Sequence, residues 1–212
     1  PPMTDDGFYH DFEAAFRGSR EEIRIRLKAY APYLEPFLAA PGGPPASLDL
    51  GCGRGLAVNL MARAFPESRF TGIDNHASAL DKARSQAEKM GLSNVVFKNF
   101  DAAAIDGSPE FFRKFDYVTA FDAIHDQSHP LEALKGVRYM LAPGGRFSLV
   151  DIKAHTNPAD NMDHPMGPFL YTVSLMHCLP VGLNDNGTGL GMMWGQEQAE
   201  SMLRQAGFDQ VE

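Results

Sequence analysis

The stretch at residues 48–65, Leu-Asp-Leu-Gly-Cys-Gly-Arg-Gly-Leu-Ala-Val-Asn-Leu-Met-Ala-Arg-Ala-Phe, decides the fold. The apolar run at residues 46–50, with a single acid, predicts a short buried strand. Leu56, Leu60 and Ala64 then recur at the four-residue spacing of one helix face. The stretch therefore reads as a strand, a tight turn and a helix.

The turn contains three alternating glycines, Gly51, Gly53 and Gly55. Glycine adopts positive φ at no steric cost and lets a ligand approach main-chain N–H groups without a Cβ in the way. The helix that follows points its positive end toward the same place. These features predict a binding site for a nucleotide-like ligand.

The glycine spacing distinguishes between ligand classes. Dinucleotide-binding folds use Gly-x-Gly-x-x-Gly, whereas this chain has Asp49-x-Gly51-x-Gly53-x-Gly55. That pattern resembles the first motif of class I S-adenosylmethionine-dependent methyltransferases. The resemblance implies that Asp49 and the three glycines hold the amino-acid end of the cofactor S-adenosyl-L-methionine.

Strand and helix patterns alternate along the rest of the chain. Further strands are predicted at residues 69–73, 95–98, 117–121 and 147–152. Right-handed crossovers then give an α/β fold with a mostly parallel sheet flanked by helices, as in the Rossmann-like methyltransferase fold, and ligands at the carboxyl ends of the strands. The family's final antiparallel strand has no counterpart, because the chain ends at 208–212, where a sixth strand would start.

Acidic residues stand at several of these strand ends. Asp74 and Asn75 follow the second strand, roughly twenty positions past the glycine turn, where an acid accepts hydrogen bonds from ribose hydroxyls. The resemblance implies that Asp101 and Ala102 read the adenine edge. We also place Phe121, at the end of the fourth strand, in the cofactor site.

Composition limits the partners. A formal charge of −8 over 212 residues disfavours nucleic acid, because affinity for phosphate backbones comes largely from Lys and Arg. The two cysteines, Cys52 and Cys178, form no disulfide framework, which favours a reducing cytoplasm. No apolar run suits a membrane span or a signal peptide. We expect a small-molecule substrate, and a homodimer is left open.

Two segments flank the predicted strands. Residues 1–45 are interpreted as an N-terminal helical segment and 46–212 as a methyltransferase domain. Residues 16–22 are similar to the region ahead of the first motif in some bacterial polysaccharide-modifying methyltransferases. This similarity implies that Arg17, or alternatively Arg20, contacts the cofactor carboxylate; otherwise both are solvated surface charges. Residues 153–195 are too long for a simple loop and rich in methionine, which predicts a lid or substrate wall.

The chemistry is expected after the fourth strand. The sequence Phe-Asp-Ala-Ile-His-Asp at residues 121–126 resembles the same region of bacterial methyltransferases that usually carry a winged-helix domain. We expect that domain to be missing here. His125-Asp126 resembles the His-Asp pair of small-molecule O-methyltransferases, which implies that His125 is a general base oriented by Asp151. A histidine of ordinary pKa can take a proton from a phenol. The plain alternative is a structural or helix-capping histidine.

The same residues support a second hypothesis. His125, Asp126 and His177 supply two imidazoles and a carboxylate, the ligand set of non-haem iron sites. Their order and spacing also resemble metal-binding C-methyltransferases that act on 2-oxo acids, which implies a divalent metal such as iron. A nicotinamide-dependent dehydrogenase is disfavoured by the glycine spacing, and a silent cofactor-binding module stays open.

Overall fold

The computed structural model describes Ile25, residues 31–38 and residues 44–212. A five-stranded parallel sheet of order β3-β2-β1-β4-β5 carries helices on its faces, which confirms the predicted α/β class. In chain order the main elements are α1 (Ala31–Leu38), β1 (Ala46–Leu50), α2 (Leu56–Ala64), β2 (Arg69–Asp74), α3 (Ala77–Lys89), β3 (Val95–Asn99), β4 (Phe115–Phe121), α4 (Pro130–Met140), β5 (Leu141–Val150), α5 (Gly167–Val173), α6 (Leu179–Gly182) and α7 (Gln196–Gln205).

Alternation along the strands divides the apolar side chains between two cores. Leu48 and Leu50 of β1 pack into the larger core together with residues of α4 and α7. Phe70 of β2 and Tyr117 of β4 pack into the smaller core with residues of α1 and α2. Because successive side chains of a strand point to opposite faces, β2 and β4 contribute to both cores, with Ile73 and Val118 in the larger core. The sheet is thus covered on both sides, as parallel sheets generally are.

The fourth and fifth strands begin earlier than the sequence predicted. Leu141 pairs with Phe115, and pairing resumes at Arg146 beside Tyr117 after a register shift. The residues between the two pairs include Gly144, whose φ is +81°. The Pro-Gly-Gly sequence at 143–145 therefore interrupts the ladder without ending it, and the prediction that β5 starts at residue 147 was wrong.

Residues 153–195, here called the wall segment, contain short helices. They comprise the 3₁₀ helix Pro158–Asn161, α5, the π-helix Ser174–Cys178, α6 and the 3₁₀ helix Asn184–Asn186. Met162, Leu175 and Met176 of this segment are exposed. Its role as a lid or substrate wall stays a prediction.

The predicted N-terminal helical segment is described only in part, through Ile25 and α1. Arg17 lies outside the described residues. Among the helices that the structure describes, none has both the length and the apolar character needed to cross a membrane.

Gly55 provides a test of the turn that starts α2. Its φ is +73°, and a Cβ there would lie 2.7 Å from Cβ of Ala83. Gly91 has a similar φ of +67° but open space around it. We expect Gly91→Ala to cost about 1 kcal/mol of unfolding free energy, from backbone strain alone. Gly55→Ala should cost about 2–4 kcal/mol, because overpacking adds to the strain.

Urea unfolding of the two variants and the wild type measures both free energies. Equal losses in the two variants would contradict the close packing of Gly55 against α3.

Candidate cofactor cleft and histidine site

The cleft lies at the carboxyl edge of the sheet, where the strand order reverses between β1 and β4. Open α/β sheets bind ligands at such a switch point because neighbouring loops diverge there. The described residues that line it come from the carboxyl end of β2 and from the segments after β1, β2, β3 and β4: Gly51, Ile73, Asp74, Asn75, Phe100, Ala102 and Gln127.

The three glycines of the turn serve different purposes. All have positive φ, +67° at Gly51, +51° at Gly53 and +73° at Gly55. A Cβ at Gly51 would lie 2.6 Å from Cβ of Ala123, so this glycine lets the loops after β1 and β4 close on each other. A Cβ at Gly53 would meet nothing within 4 Å. The backbone at Gly53 is therefore sterically open.

Asp49 lies beneath the turn and is buried in the sheet, 2% exposed. It pairs in register with Thr119 of β4, whose hydroxyl donates a hydrogen bond of 2.8 Å to Oδ1 of Asp49. Burial raises the pKa of Asp49 to about 7; the Thr119 hydrogen bond opposes this shift, and the charge of Asp74 adds to it. Asp49 therefore titrates near neutral pH.

Asp74, the last residue of β2, ties the glycine turn to its neighbour strand. Its Oδ2 accepts a 2.8 Å hydrogen bond from the backbone N–H of Gly53, and its Oδ1 accepts one of 2.8 Å from the N–H of His76. The same carboxylate lines the cleft beside Asn75. Asp74 thus shapes the loop and offers its remaining lone pairs to a ligand.

The predicted adenine-side residues differ in placement. Ala102 is buried and lines the cleft. Asp101 is exposed, and its Oδ1 accepts a 2.9 Å hydrogen bond from the N–H of Ala103, which caps the short 3₁₀ helix Ala102–Ala104. Phe121 packs against the smaller core and is not among the described residues that line the cleft.

His125 lies two residues after Ala123, in the loop that follows β4, and is buried, 1% exposed. Its Nδ1 lies 2.9 and 3.0 Å from the two carboxylate oxygens of Asp151, and its Nε2 lies 3.4 Å from Oδ1 of Asp126. Burial alone lowers the pKa of His125. Hydrogen bonds to Asp151 and Cys178, with the charges of Asp151 and Asp126, outweigh burial and raise it to about 11.

The Asp151 carboxylate accepts three hydrogen bonds. Besides His125, the backbone N–H of Ile152 donates to Oδ1 at 2.8 Å, and the indole N–H of Trp194 donates to Oδ2 at 3.1 Å. The structure thus brings His125 and Asp151 together, as the sequence predicted. Trp194 was not predicted.

The predicted metal ligands are only partly brought together. Within the part of the chain that the structure describes, His125, Asp126 and Cys178 have ligand atoms within 4.8 Å of one another, as do Asp122, His125 and Asp151. His177 belongs to neither group. Cys178 takes its place beside His125, and burial raises the pKa of the Cys178 thiol.

Three residues near His125 and Asp151 were not predicted, and they differ in what the sequence could have shown. Cys178 is adjacent to the predicted His177, but both lie in the π-helix Ser174–Cys178, whose wider turn changes which side chain faces inward. Trp194 is the only tryptophan in the chain. Nothing in the sequence pairs it with Asp151, which lies 43 residues earlier. Asp122 has a positive φ of +55°, a strain typical of functional loops.

A sequence profile described as a methyltransferase domain matches residues 46–208, most of the chain. The chain belongs to this S-adenosylmethionine-dependent methyltransferase family. The match includes every described cleft residue and the His125 site.

Individual relatives are similar to this chain either at high identity over a short stretch or at lower identity over most of its length. A tRNA (guanine-N(7)-)-methyltransferase of Rubrobacter xylanophilus is 43% identical over 53 residues, 25% of this chain and 24% of that protein. A ubiquinone biosynthesis O-methyltransferase of Cereibacter sphaeroides is 28% identical over 169 residues, 78% of this chain and 60% of that protein. This chain therefore spans less than two thirds of either relative.

Among solved structures, a protein of Bacillus halodurans assigned as a methyltransferase superposes with a TM-score of 0.62. It is 25% identical, and the match covers 82% of this chain and 67% of that one. It supports the methyltransferase fold over most of the chain.

The cleft of this methyltransferase yields a test at Asp74. We expect Asp74→Ala to weaken binding of S-adenosylhomocysteine by about 1–3 kcal/mol, because ribose hydroxyls lose their acceptor and Gly53 loses its hydrogen bond. Titration calorimetry measures the affinity. The control is Glu88→Gln, which removes one negative charge from an exposed position on α3. Equal affinities of Asp74→Ala and the control would refute the assignment of Asp74 to the ribose.

Proposed function

We propose that this chain transfers a methyl group from S-adenosyl-L-methionine to a small-molecule acceptor. The observation that carries the proposal is the short segment 123–127 after β4. Ala123 packs against Gly51 of the glycine turn, Gln127 lines the cleft, and His125 lies between these two residues in the sequence. A cofactor bound at the glycine turn would therefore lie beside the loop that carries His125.

The described residues fit this cofactor. The open space at Gly53 leaves room for the amino-acid end near backbone N–H groups, and Asp49 lies directly beneath. Asp74, Asn75 and Ala102 line one cleft, which supports the proposed roles of the first two toward the ribose and of Ala102 toward the adenine. When bound, the cofactor supplies an electrophilic methyl group, which leaves alignment of the acceptor as the main task of the protein.

The acceptor that suits His125 is an acidic hydroxyl, such as a phenol. A positioned imidazole can take its proton as the methyl group is transferred. Asp151 holds Nδ1, which leaves Nε2, 3.4 Å from Oδ1 of Asp126, as the nitrogen that would take the proton once an acceptor enters beside it. Because the pKa of His125 is raised to about 11, the base form is a minor fraction at neutral pH. The rate should then increase as the pH rises toward that pKa.

The pH dependence tests this role. Asp151 raises the pKa of His125, so Asp151→Asn should lower it toward the ordinary value of about 6.5. The midpoint of the pH–rate profile should then move down by more than about one unit, while the plateau rate falls. Single-turnover rates are compared with the same acceptor in both proteins, so ionisation of the acceptor affects both profiles equally. The control is Asp160→Asn, an exposed change in the wall segment. An unchanged midpoint in Asp151→Asn would exclude His125 as the base.

A second candidate is metal-dependent C-methylation of a 2-oxo acid. Oδ1 of Asp126 is buried without a hydrogen-bond partner and faces Nε2 of His125 at 3.4 Å. Histidines that bind metals usually donate their other N–H to a carboxylate, as His125 can to Asp151. His125 and Asp126 would hold the ion, with a third ligand from the π-helix, either the predicted His177 or Cys178. A bound divalent ion would polarise a bidentate 2-oxo acid toward its enolate.

Metal content separates the two candidates. The purified protein is equilibrated with Fe²⁺ or Zn²⁺ and desalted, and its metal content is then determined by elemental analysis. The metal candidate predicts about one equivalent in the wild type, lost in Asp126→Asn and kept in the exposed control Asp163→Asn. His177→Ala and Cys178→Ala identify the third ligand, because only the true ligand reduces the content. A metal-free wild type that transfers methyl groups would eliminate this candidate.

A further inference from the structure

Trp194 lies at the carboxyl end of the wall segment and is 5% exposed in the larger core. Its indole Nε1–H donates a 3.1 Å hydrogen bond to Oδ2 of Asp151. A buried indole usually finds a hydrogen-bond partner, but here the partner is the carboxylate that contacts His125. The bond therefore joins the wall segment to the histidine site.

The three donors to Asp151 differ in which carboxylate oxygen they bind. The backbone N–H of Ile152 binds Oδ1, the indole of Trp194 binds Oδ2, and Nδ1 of His125 lies nearly equidistant from both oxygens. A carboxylate turns easily about its last single bond. A donor on one oxygen restrains that rotation only loosely, because a single hydrogen bond tolerates a range of angles. Donors on both oxygens narrow the range and so set the plane that the imidazole meets.

The backbone of Trp194 is itself anchored to the loop that follows β5. Its carbonyl accepts a 2.9 Å hydrogen bond from the Thr156 hydroxyl. The N–H of Gln196, two residues on, donates to the carbonyl of Ala154 at 2.9 Å. The two ends of the wall segment are therefore joined beside Asp151, and the indole has little freedom to leave its partner.

We propose that Trp194 is a positioning residue that fixes the Asp151 carboxylate in the plane of His125 and so couples the wall segment to the histidine site. The catalytic part of this inference rests on the proposed function of His125. The geometric part does not, because it concerns only the hydrogen bonds within the folded chain. Supporting residues of this kind hold a catalytic group within the narrow range of productive geometries.

Trp194→Phe removes the donor and keeps an aromatic ring in the core. We expect kcat to fall about 10- to 100-fold, since small misplacements of reacting groups carry losses of that size, while the affinity for S-adenosylhomocysteine is unchanged. The proton between Nδ1 of His125 and Asp151 should give a strongly downfield NMR signal in the wild type that shifts or broadens in the variant. Phe208→Leu, which alters the same core beside Phe147, is the matched control and should leave both readouts intact.

The indole supplies an independent readout. With one tryptophan in the chain, the wild type has one indole N–H resonance, and Asp151→Asn should shift it and speed its exchange with water. An indole resonance unaffected by Asp151→Asn would overturn the inference, even if Trp194→Phe fails to fold. So would a folded Trp194→Phe with the wild-type histidine signal and kcat. If no acceptor is ever methylated, the proposed function fails, while the two NMR readouts still decide the positioning role.

Discussion

The contact between Gly51 and Ala123 is the constraint on which the site depends. Only a residue without a side chain fits there, because a Cβ at Gly51 would lie 2.6 Å from Cβ of Ala123. This approach brings the loops after β1 and β4 together at the point where the strand order reverses. The cofactor cleft and the loop that carries His125 are therefore adjoining parts of one backbone arrangement, and neither can move far without the other.

Three carboxylates at this edge of the sheet show how environment separates residues of one chemical type. Asp49 is buried with a single hydroxyl donor, so burial dominates and raises its pKa to about 7. Asp74 accepts from two backbone N–H groups and borders the cleft. Asp151 accepts from a backbone N–H, an indole and an imidazole. Asp74, with two backbone donors and a place at the cleft, is suited to contact a ligand. Asp151, with three donors, is suited to orient His125.

Much of this arrangement could be predicted from sequence, because it depends on local patterns. The glycine turn requires positive φ at fixed positions, and parallel strands bring the residues at their carboxyl ends to one edge. The extension of β5 back to Leu141 depends on pairing across a register shift with Phe115, which no local pattern reveals. Trp194 could not be predicted either, since its hydrogen bond to Asp151 joins positions 43 residues apart through tertiary packing.

The π-helix Ser174–Cys178 decides what surrounds His125, and so what its free nitrogen can do. An α-helix would keep a regular 3.6-residue spacing across this stretch, whereas a π-turn inserts the equivalent of one extra residue and is often retained at functional sites. Here it turns Cys178 toward the imidazole, so that Nε2 faces a thiol and the Asp126 carboxylate rather than open solvent. Under the proposed function, an acceptor would reach His125 only after part of the wall segment moves, and under the metal alternative an ion would bind among those groups. Either proposal gives the wall segment a more direct bearing on acceptor choice than the glycine turn.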